Sequence, residues 1–88
     1  MDQLRKKFKI NKKQYDAGIG IIRDTLGSYE SIAAQCFTST GVKISGNCIR
    51  RWFNERSIPI EYAALFSDLT FGDAGVEDFY PWLDSYIH

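Results

Sequence analysis

An all-α fold is predicted for this 88-residue chain, as a compact bundle of about five short helices. Apolar residues recur at intervals of three and four along most of the chain, which is the spacing of one helix face. Residues that cap helix starts precede these segments, and glycine or proline follows them. The composition, 44% hydrophobic and 25% charged, is that of a globular protein, and this length accommodates one domain, residues 1–88.

The first predicted helix covers residues 12–26. Asn11 precedes it as a cap, and Gly27 follows it at a position that favours glycine. Its apolar residues are spaced four, three and four apart and form one stripe: Tyr15, Ile19, Ile22 and Leu26. Gly18 and Gly20 lie inside this helix, where they either permit a close helix contact or are merely tolerated.

The second and third helices are predicted over residues 29–38 and 46–55, capped by Ser28 and Ser45. The second helix is expected to bury one face, made of Ile32, Ala33, Cys36 and Phe37. The extended linker after Gly41 is expected to add two apolar residues to the core, Val42 and Ile44. The third helix is expected to point Ile49 and Trp52 inward, with Phe53 as a further candidate.

The fourth helix is predicted over residues 59–69. Pro59 suits the first position of a helix, and Glu61 in the first turn complements the helix dipole. A loop then leads to one more helical turn, from Val76 to Tyr80, which Pro81 stops.

The charges are unevenly divided along the chain. Residues 1–60 carry all 11 Lys and Arg and five of the acids, a net charge of +6, whereas residues 61–88 carry the other six acids and a net charge of −6. This asymmetry indicates that one end faces a polyanion, although two solvated surfaces without a partner would explain it equally well. Residues 1–10 are expected to form a basic arm, and residues 70–88 an acidic and aromatic segment.

The third predicted helix carries the residues of a DNA major-groove reader. Arginine can donate two parallel hydrogen bonds to guanine, and asparagine can pair with adenine. Four such side chains recur at i, i+3, i+4 and i+7, and we expect this stripe to contact bases: Asn47, Arg50, Arg51 and Asn54. Taken alone, the stripe is better explained as the solvated face of an ordinary amphipathic helix, and the features around it favour the DNA reader.

Residues at and near the helix starts are expected to contact DNA phosphates. Helix N-termini and basic side chains both attract phosphate oxygens. The expected phosphate contacts are Ser28, Tyr29, Lys43, Ser45, Lys12, Lys13 and Arg56.

Several features of residues 12–83 follow the order of a known family. They are Ile32-Ala33 in the second helix, Ile49 three positions before Trp52, the Pro-led segment 59–65, and the segment from Gly72 to Pro81. On these features the chain resembles the Cro- and repressor-like helix-turn-helix regulators of phages and prophages. The resemblance implies a sequence-specific transcriptional regulator that binds operator DNA as a homodimer, through the 45–55 helix in the major groove.

One spacing departs from that family. Its compact motif separates the alanine and the tryptophan by about thirteen positions, whereas Ala33 and Trp52 are 19 positions apart. The extra residues must lie between Phe37 and Ile44, as an extra helical turn, a longer loop or both. The sequence therefore predicts a helix-turn-helix with a lengthened turn.

The C-terminal segment is the candidate dimer interface. Aromatic residues are enriched in the cores of such interfaces. The expected interface residues are Phe79, Tyr80, Trp82, Tyr86 and Ile87. Folding back onto the core of the monomer is an alternative role for Phe79 and Trp82.

Catalysis, cofactors and metal binding are not expected. His88 is the only histidine, and the sequence has neither a Gly-rich phosphate loop nor a Cys/His metal spacing. Asp73, Glu77 and Asp78 are interpreted as solvated acids near a helix start. The two cysteines are expected to be reduced, buried and apolar in character, with a Cys36–Cys48 disulfide as the alternative.

A cytoplasmic protein is expected, in a bacterium or a phage-infected host and associated with the nucleoid. No apolar run approaches the roughly 18 residues of a membrane span, and the basic start is not followed by the apolar stretch of a signal peptide. Two other functions would suit the same fold. One is an antirepressor or adaptor that binds a protein partner through the acidic C-terminal segment, and the other is an architectural DNA binder such as a phage excisionase.

Overall fold

Regular structure is entirely helical in residues 10–81, the part of the chain that the computed structural model describes. The all-α prediction is therefore confirmed. The helices are α1 (Lys12–Leu26), α2 (Tyr29–Thr40), α3 (Gly46–Glu55), α4 (Ile60–Leu69) and α5 (Val76–Phe79). Within this part of the chain, no helix combines the length and the apolar character that a membrane span requires.

The three predicted polar caps are confirmed. The Asn11 side chain accepts the N–H of Gln14 at 3.1 Å, and Ser28 Oγ accepts the N–H of Ser31 at 3.2 Å. Ser45 Oγ accepts the N–H of Cys48 at 3.1 Å. Pro59 lies one position before α4 rather than at its first residue. These caps satisfy N–H groups that a helix start would otherwise leave unpaired.

Helix α2 is two residues longer than predicted and ends at Thr40, followed by Gly41 with φ 75°. Two threonines near its end, Thr38 and Thr40, are part of the helix. Thr38 Oγ1 donates to the carbonyl of Ala34 at 3.1 Å, and Thr40 Oγ1 donates to that of Cys36 at 2.8 Å. Such bonds to the preceding turn let threonine stay in helical geometry.

The segment from Phe37 to Ile44, where the extra residues were expected, is part helix and part loop, and the chain then returns along α2. A Cβ built on Gly46 would lie 2.9 Å from the Glu30 carboxylate and 3.2 Å from the Glu30 nitrogen, so α3 begins against the first turn of α2. The last turns of α2 are left partly uncovered. Phe37 is 50% exposed and Val42 54%, so their predicted burial is wrong, whereas Ile44 packs against the core as predicted.

The core draws buried residues from all five helices. On α3 they are Ile49 and Phe53, while Trp52 is half-buried with its ring 4.8 Å from that of Tyr62. Phe79 is fully buried and packs edge-on against Tyr15 at 4.9 Å. The assignment of Phe79 to a dimer interface is therefore wrong, because its ring closes the core of the monomer.

The turn from α3 into α4, residues 56–58, is held by two tyrosine hydroxyls. The N–H of Ile58 donates to Tyr15 Oη at 2.8 Å, and Tyr80 Oη donates to the carbonyl of Ile58 at 2.6 Å. Ile58 is fully buried, so both backbone groups need protein partners. These two bonds fix the end of α3 to α1 and to the segment after α5.

Both cysteines are free thiols, so the disulfide alternative is wrong. Cys36 is buried as predicted, and burial raises the pKa of its thiol to about 11. Cys48 is half-buried on α3. The Cys36 thiol therefore stays protonated near neutral pH and behaves as an apolar core group.

The two glycines of α1 differ in surroundings and should differ in their response to alanine. A Cβ on Gly18 would lie 2.8 Å from the Phe79 ring, whereas one on Gly20 would meet nothing within 4 Å. Both substitutions gain the same helix propensity, about 1 kcal/mol. Gly18→Ala should therefore be less stable than Gly20→Ala by about 1–3 kcal/mol, the usual cost of overpacking, in denaturant unfolding. Equal stabilities of the two variants would show that the close approach of the Phe79 ring does not require glycine at position 18.

Removal of the Tyr15 hydroxyl should expose the dependence of the fold on the 56–58 turn. Tyr15→Phe leaves the buried N–H of Ile58 unpaired and should lower the free energy of unfolding by about 1–3 kcal/mol. Tyr80→Phe is the matched control and should cost less, because its hydroxyl is only partly buried. Thermal unfolding of both variants measures which one loses more stability. A smaller loss of stability for Tyr15→Phe than for Tyr80→Phe would contradict the prediction.

Candidate nucleic-acid interface

The predicted base-reading stripe lies on the open face of α3. Asn47, Arg50, Arg51 and Asn54 are all exposed. On the opposite face, Ile49 and Phe53 are 0% and 5% exposed and anchor the helix in the core. The structure therefore brings the four predicted side chains together on one surface.

Arg50 and Asn47 are joined by a two-pronged contact. Asn47 Oδ1 accepts Arg50 Nε at 3.0 Å and Arg50 NH2 at 2.6 Å. This contact holds the guanidinium against α3 and leaves N–H donors on both of its terminal nitrogens. It also occupies the Asn47 oxygen, which reading an adenine would require. In this arrangement Asn47 positions Arg50.

Arg51 makes a looser contact, with its Nε 3.9 Å from Glu55 Oε1 one turn further along α3. Both side chains are well exposed, at 70% and 59%. Exposed pairs of this kind contribute little to stability, so Arg51 can leave Glu55 at small cost.

The first flank of α3 is formed by the starts of α2 and α3. Ser28 and Ser45 lie there as helix caps. Lys43 is exposed in the loop that joins the end of α2 to the start of α3. Tyr29 is half-buried, with its ring 5.9 Å from that of Phe53, so its ring packs α2 against α3. The starts of α2 and α3 therefore lie close together at one end of the stripe.

Arg23 belongs to this flank and was missed in the sequence. Its guanidinium lies 4.7 Å from the centre of the Tyr29 ring, a cation–π contact. The signal was the short link at Gly27, which brings the last turn of α1 beside the first turn of α2. This exposed arginine adds positive charge where phosphate contacts were predicted.

The second flank lies at the end of α3, where Arg56 meets Asp16 of α1. Arg56 Nε donates to Asp16 Oδ1 at 2.9 Å, and NH2 donates to Oδ2 at 2.7 Å. The Arg56 guanidinium lowers the pKa of Asp16, and the carboxylate raises that of Arg56. Arg56 is thus largely neutralised by a partner that the sequence did not indicate. Lys12 and Lys13 are exposed in the first turn of α1.

The remaining predicted contacts are in the C-terminal segment and the arm. Tyr80 is half-buried and donates its hydroxyl to Ile58. Trp82, Tyr86 and Ile87 lie outside the described residues, as do residues 1–9 of the predicted basic arm.

The described residues contain no group of three or more His, Cys, Asp or Glu side chains arranged to hold a metal ion. Comparison with protein-family models, with curated proteins and with solved structures gives no match. The surface of α3 and its two flanks are therefore the candidate functional site.

The Asp16–Arg56 pair should make stability depend on pH in the acid range. A carboxyl whose folded pKa lies below its unfolded value of about 3.8 stabilises the fold fully above that value. This stabilisation is lost as the pH falls through the folded pKa. In acid unfolding, the parent should therefore lose its advantage over Asp16→Asn below roughly pH 4 and keep it near neutral pH. A difference that stays constant through the acid range would contradict the pairing.

Proposed function

We propose that this protein is a sequence-specific DNA-binding transcriptional regulator of the Cro- and repressor-like kind. The observation that carries the proposal is the exposed stripe on α3, which stands opposite the buried anchor residues Ile49 and Phe53. In this proposal α3 enters the major groove and regulation follows from occupancy of operator DNA. The protein acts in the cytoplasm, at the nucleoid.

Arg50 and Arg51 are the principal base readers in this account. Asn47 holds the Arg50 guanidinium by its Nε and NH2 atoms, and the N–H donors that remain on NH1 and NH2 are proposed to pair with the O6 and N7 atoms of guanine. Arg51 is freed from Glu55 at little cost. Asn54, one turn after Arg50, contributes an amide toward a neighbouring base. The expected readout is therefore dominated by guanine.

Phosphate contacts flank this readout on both sides. The starts of α2 and α3, with Lys43, Arg23 and the caps Ser28 and Ser45, face one strand. In this proposal Lys12 and Lys13 contact the DNA backbone at the second flank, where Lys12 lies near Asp16. The segment from Ile60 to Pro81 has no Lys or Arg, and its acids are proposed to face away from the DNA. This arrangement uses the charge asymmetry of the chain.

A homodimer is part of the proposal. A pair of half-sites doubles the contact area and matches a two-fold symmetric operator. Tyr80, Trp82, Tyr86 and Ile87 remain the proposed interface, with Phe79 removed from it.

Alanine at Arg50 or Arg51 should weaken specific binding and relax sequence preference. Each change should cost about 1–3 kcal/mol on the cognate site. Gel shifts with the DNA upstream of its own gene, with and without competitor DNA, measure both effects. Arg23→Ala is the matched control, since it removes the same charge from the phosphate flank and should weaken all DNA alike. If the parent gives no shift on this DNA and instead forms a stable complex with another protein in pull-down, the adaptor alternative replaces this proposal.

Neutralising Lys12 and Lys13 should flatten the salt dependence of binding. Each lost phosphate contact reduces the slope of log affinity against log salt by about 0.9 on duplex DNA. The double change Lys12→Gln and Lys13→Gln should therefore reduce the slope by up to about 2 without altering sequence preference. A slope equal to that of the parent would remove these lysines from the interface.

A further inference from the structure

An apolar groove runs along the uncovered side of α2. It has a volume of about 380 Å³. Small and apolar residues form its walls, with one base and one acid at its rim: Ala33, Ala34, Phe37, Ile44, Lys43 and Glu30. An apolar cavity of about 150 Å³ already accepts a benzene ring. The groove is therefore large enough for an aromatic side chain.

A matching aromatic side chain projects from the loop between α4 and α5. Phe71 is 91% exposed and has φ 57°, a left-handed conformation that costs a bulky residue about 1–2 kcal/mol. The loop around it is firmly held. The N–H of Gly72 donates to the carbonyl of Ser67 at 2.7 Å, and the N–H of Ala74 donates to Thr70 Oγ1 at 3.1 Å. A ring presented in this strained way contributes little to the core of its own molecule.

The charges around the ring and the groove are complementary. Phe71 stands among exposed acids, Asp68 and Asp73, in a segment without Lys or Arg. Lys43 lies at the rim of the groove, and the other rim charge, Glu30, is in the first turn of α2, where the helix dipole offsets it. Two copies joined ring to ring would bring like charges together. Insertion of the ring of one copy into the groove of another would instead bring Asp68 and Asp73 of the first copy close to Lys43 of the second.

We propose that Phe71 of one copy of this chain inserts into the α2 groove of the next copy. Such a contact joins two different surfaces, so a joined pair still has one free groove on its first copy and one free ring on its second, and further copies can add in a row. The area is smaller than in standard protein interfaces, so the contact is weak in solution. Lys43 lines the groove and also belongs to the surface proposed to contact phosphates, so DNA and a second copy would compete for it. That consequence rests on the proposed function, whereas the contact itself does not.

Two complementary variants test the contact without DNA, by NMR on ¹⁵N-labelled protein. Phe71→Gly removes the ring and keeps the groove, while Ala34→Trp fills the groove and keeps the ring; Ala34 is exposed and tolerates the larger side chain. The parent should show concentration-dependent shifts at both surfaces, and each variant alone should show none there. Mixing the two variants should restore one contact, in which the Phe71 ring of Ala34→Trp enters the groove of Phe71→Gly. Labelled Ala34→Trp should then shift around residues 68–73, and labelled Phe71→Gly around residues 33–46.

Ala17→Trp, on an exposed position of α1, is the control and should associate like the parent. Phe71→Gly should also raise the melting temperature, because glycine adopts a positive φ without strain. No concentration-dependent shifts in the parent, no shifts in the mixture, or a lowered melting temperature for Phe71→Gly would each overturn the proposal. Failure here would leave DNA binding by α3 untouched, since no DNA is present.

Discussion

The pairing of the Ile58 backbone inside the core is the constraint on which the rest of the structure depends. A buried N–H or carbonyl without a hydrogen-bond partner destabilises a fold. Here the partners of both groups are hydroxyls from distant parts of the chain, those of Tyr15 and Tyr80. Through them one residue joins α1, the end of α3 and the segment after α5. The Asp16–Arg56 pair adds a second link between α1 and α3 at the same place.

This link has a consequence for the surface of α3. A helix of ten residues has little stability of its own, so its orientation comes from its anchors. Ile49 and Phe53 set which face is buried, Gly46 sets how closely its start approaches α2, and the 56–58 turn fixes its other end. The exposed arginines are thereby presented from a rigid support, which lowers the entropy lost when a partner is bound.

Local signals in the sequence were sufficient to predict the helices and their caps, because a cap depends on residues only three positions apart. They failed where distant parts of the chain decide the outcome. Phe37 and Val42 look like core residues in a helical pattern, yet the return of the chain against Glu30 leaves them uncovered. The stripe of exposed Asn and Arg side chains on α3 followed from periodicity alone. Asp16 as the partner of Arg56 is 40 residues away in sequence, and no local pattern indicates it.

Selection of bound sequences from a random DNA pool tests the proposal that the face of α3 reads bases. If Arg50 and Arg51 are the principal readers, guanines should dominate the enriched motif, and a homodimer should repeat this motif with two-fold symmetry. A pool that shows no enrichment over its starting composition, at salt concentrations where DNA is still bound, would contradict base reading by this helix.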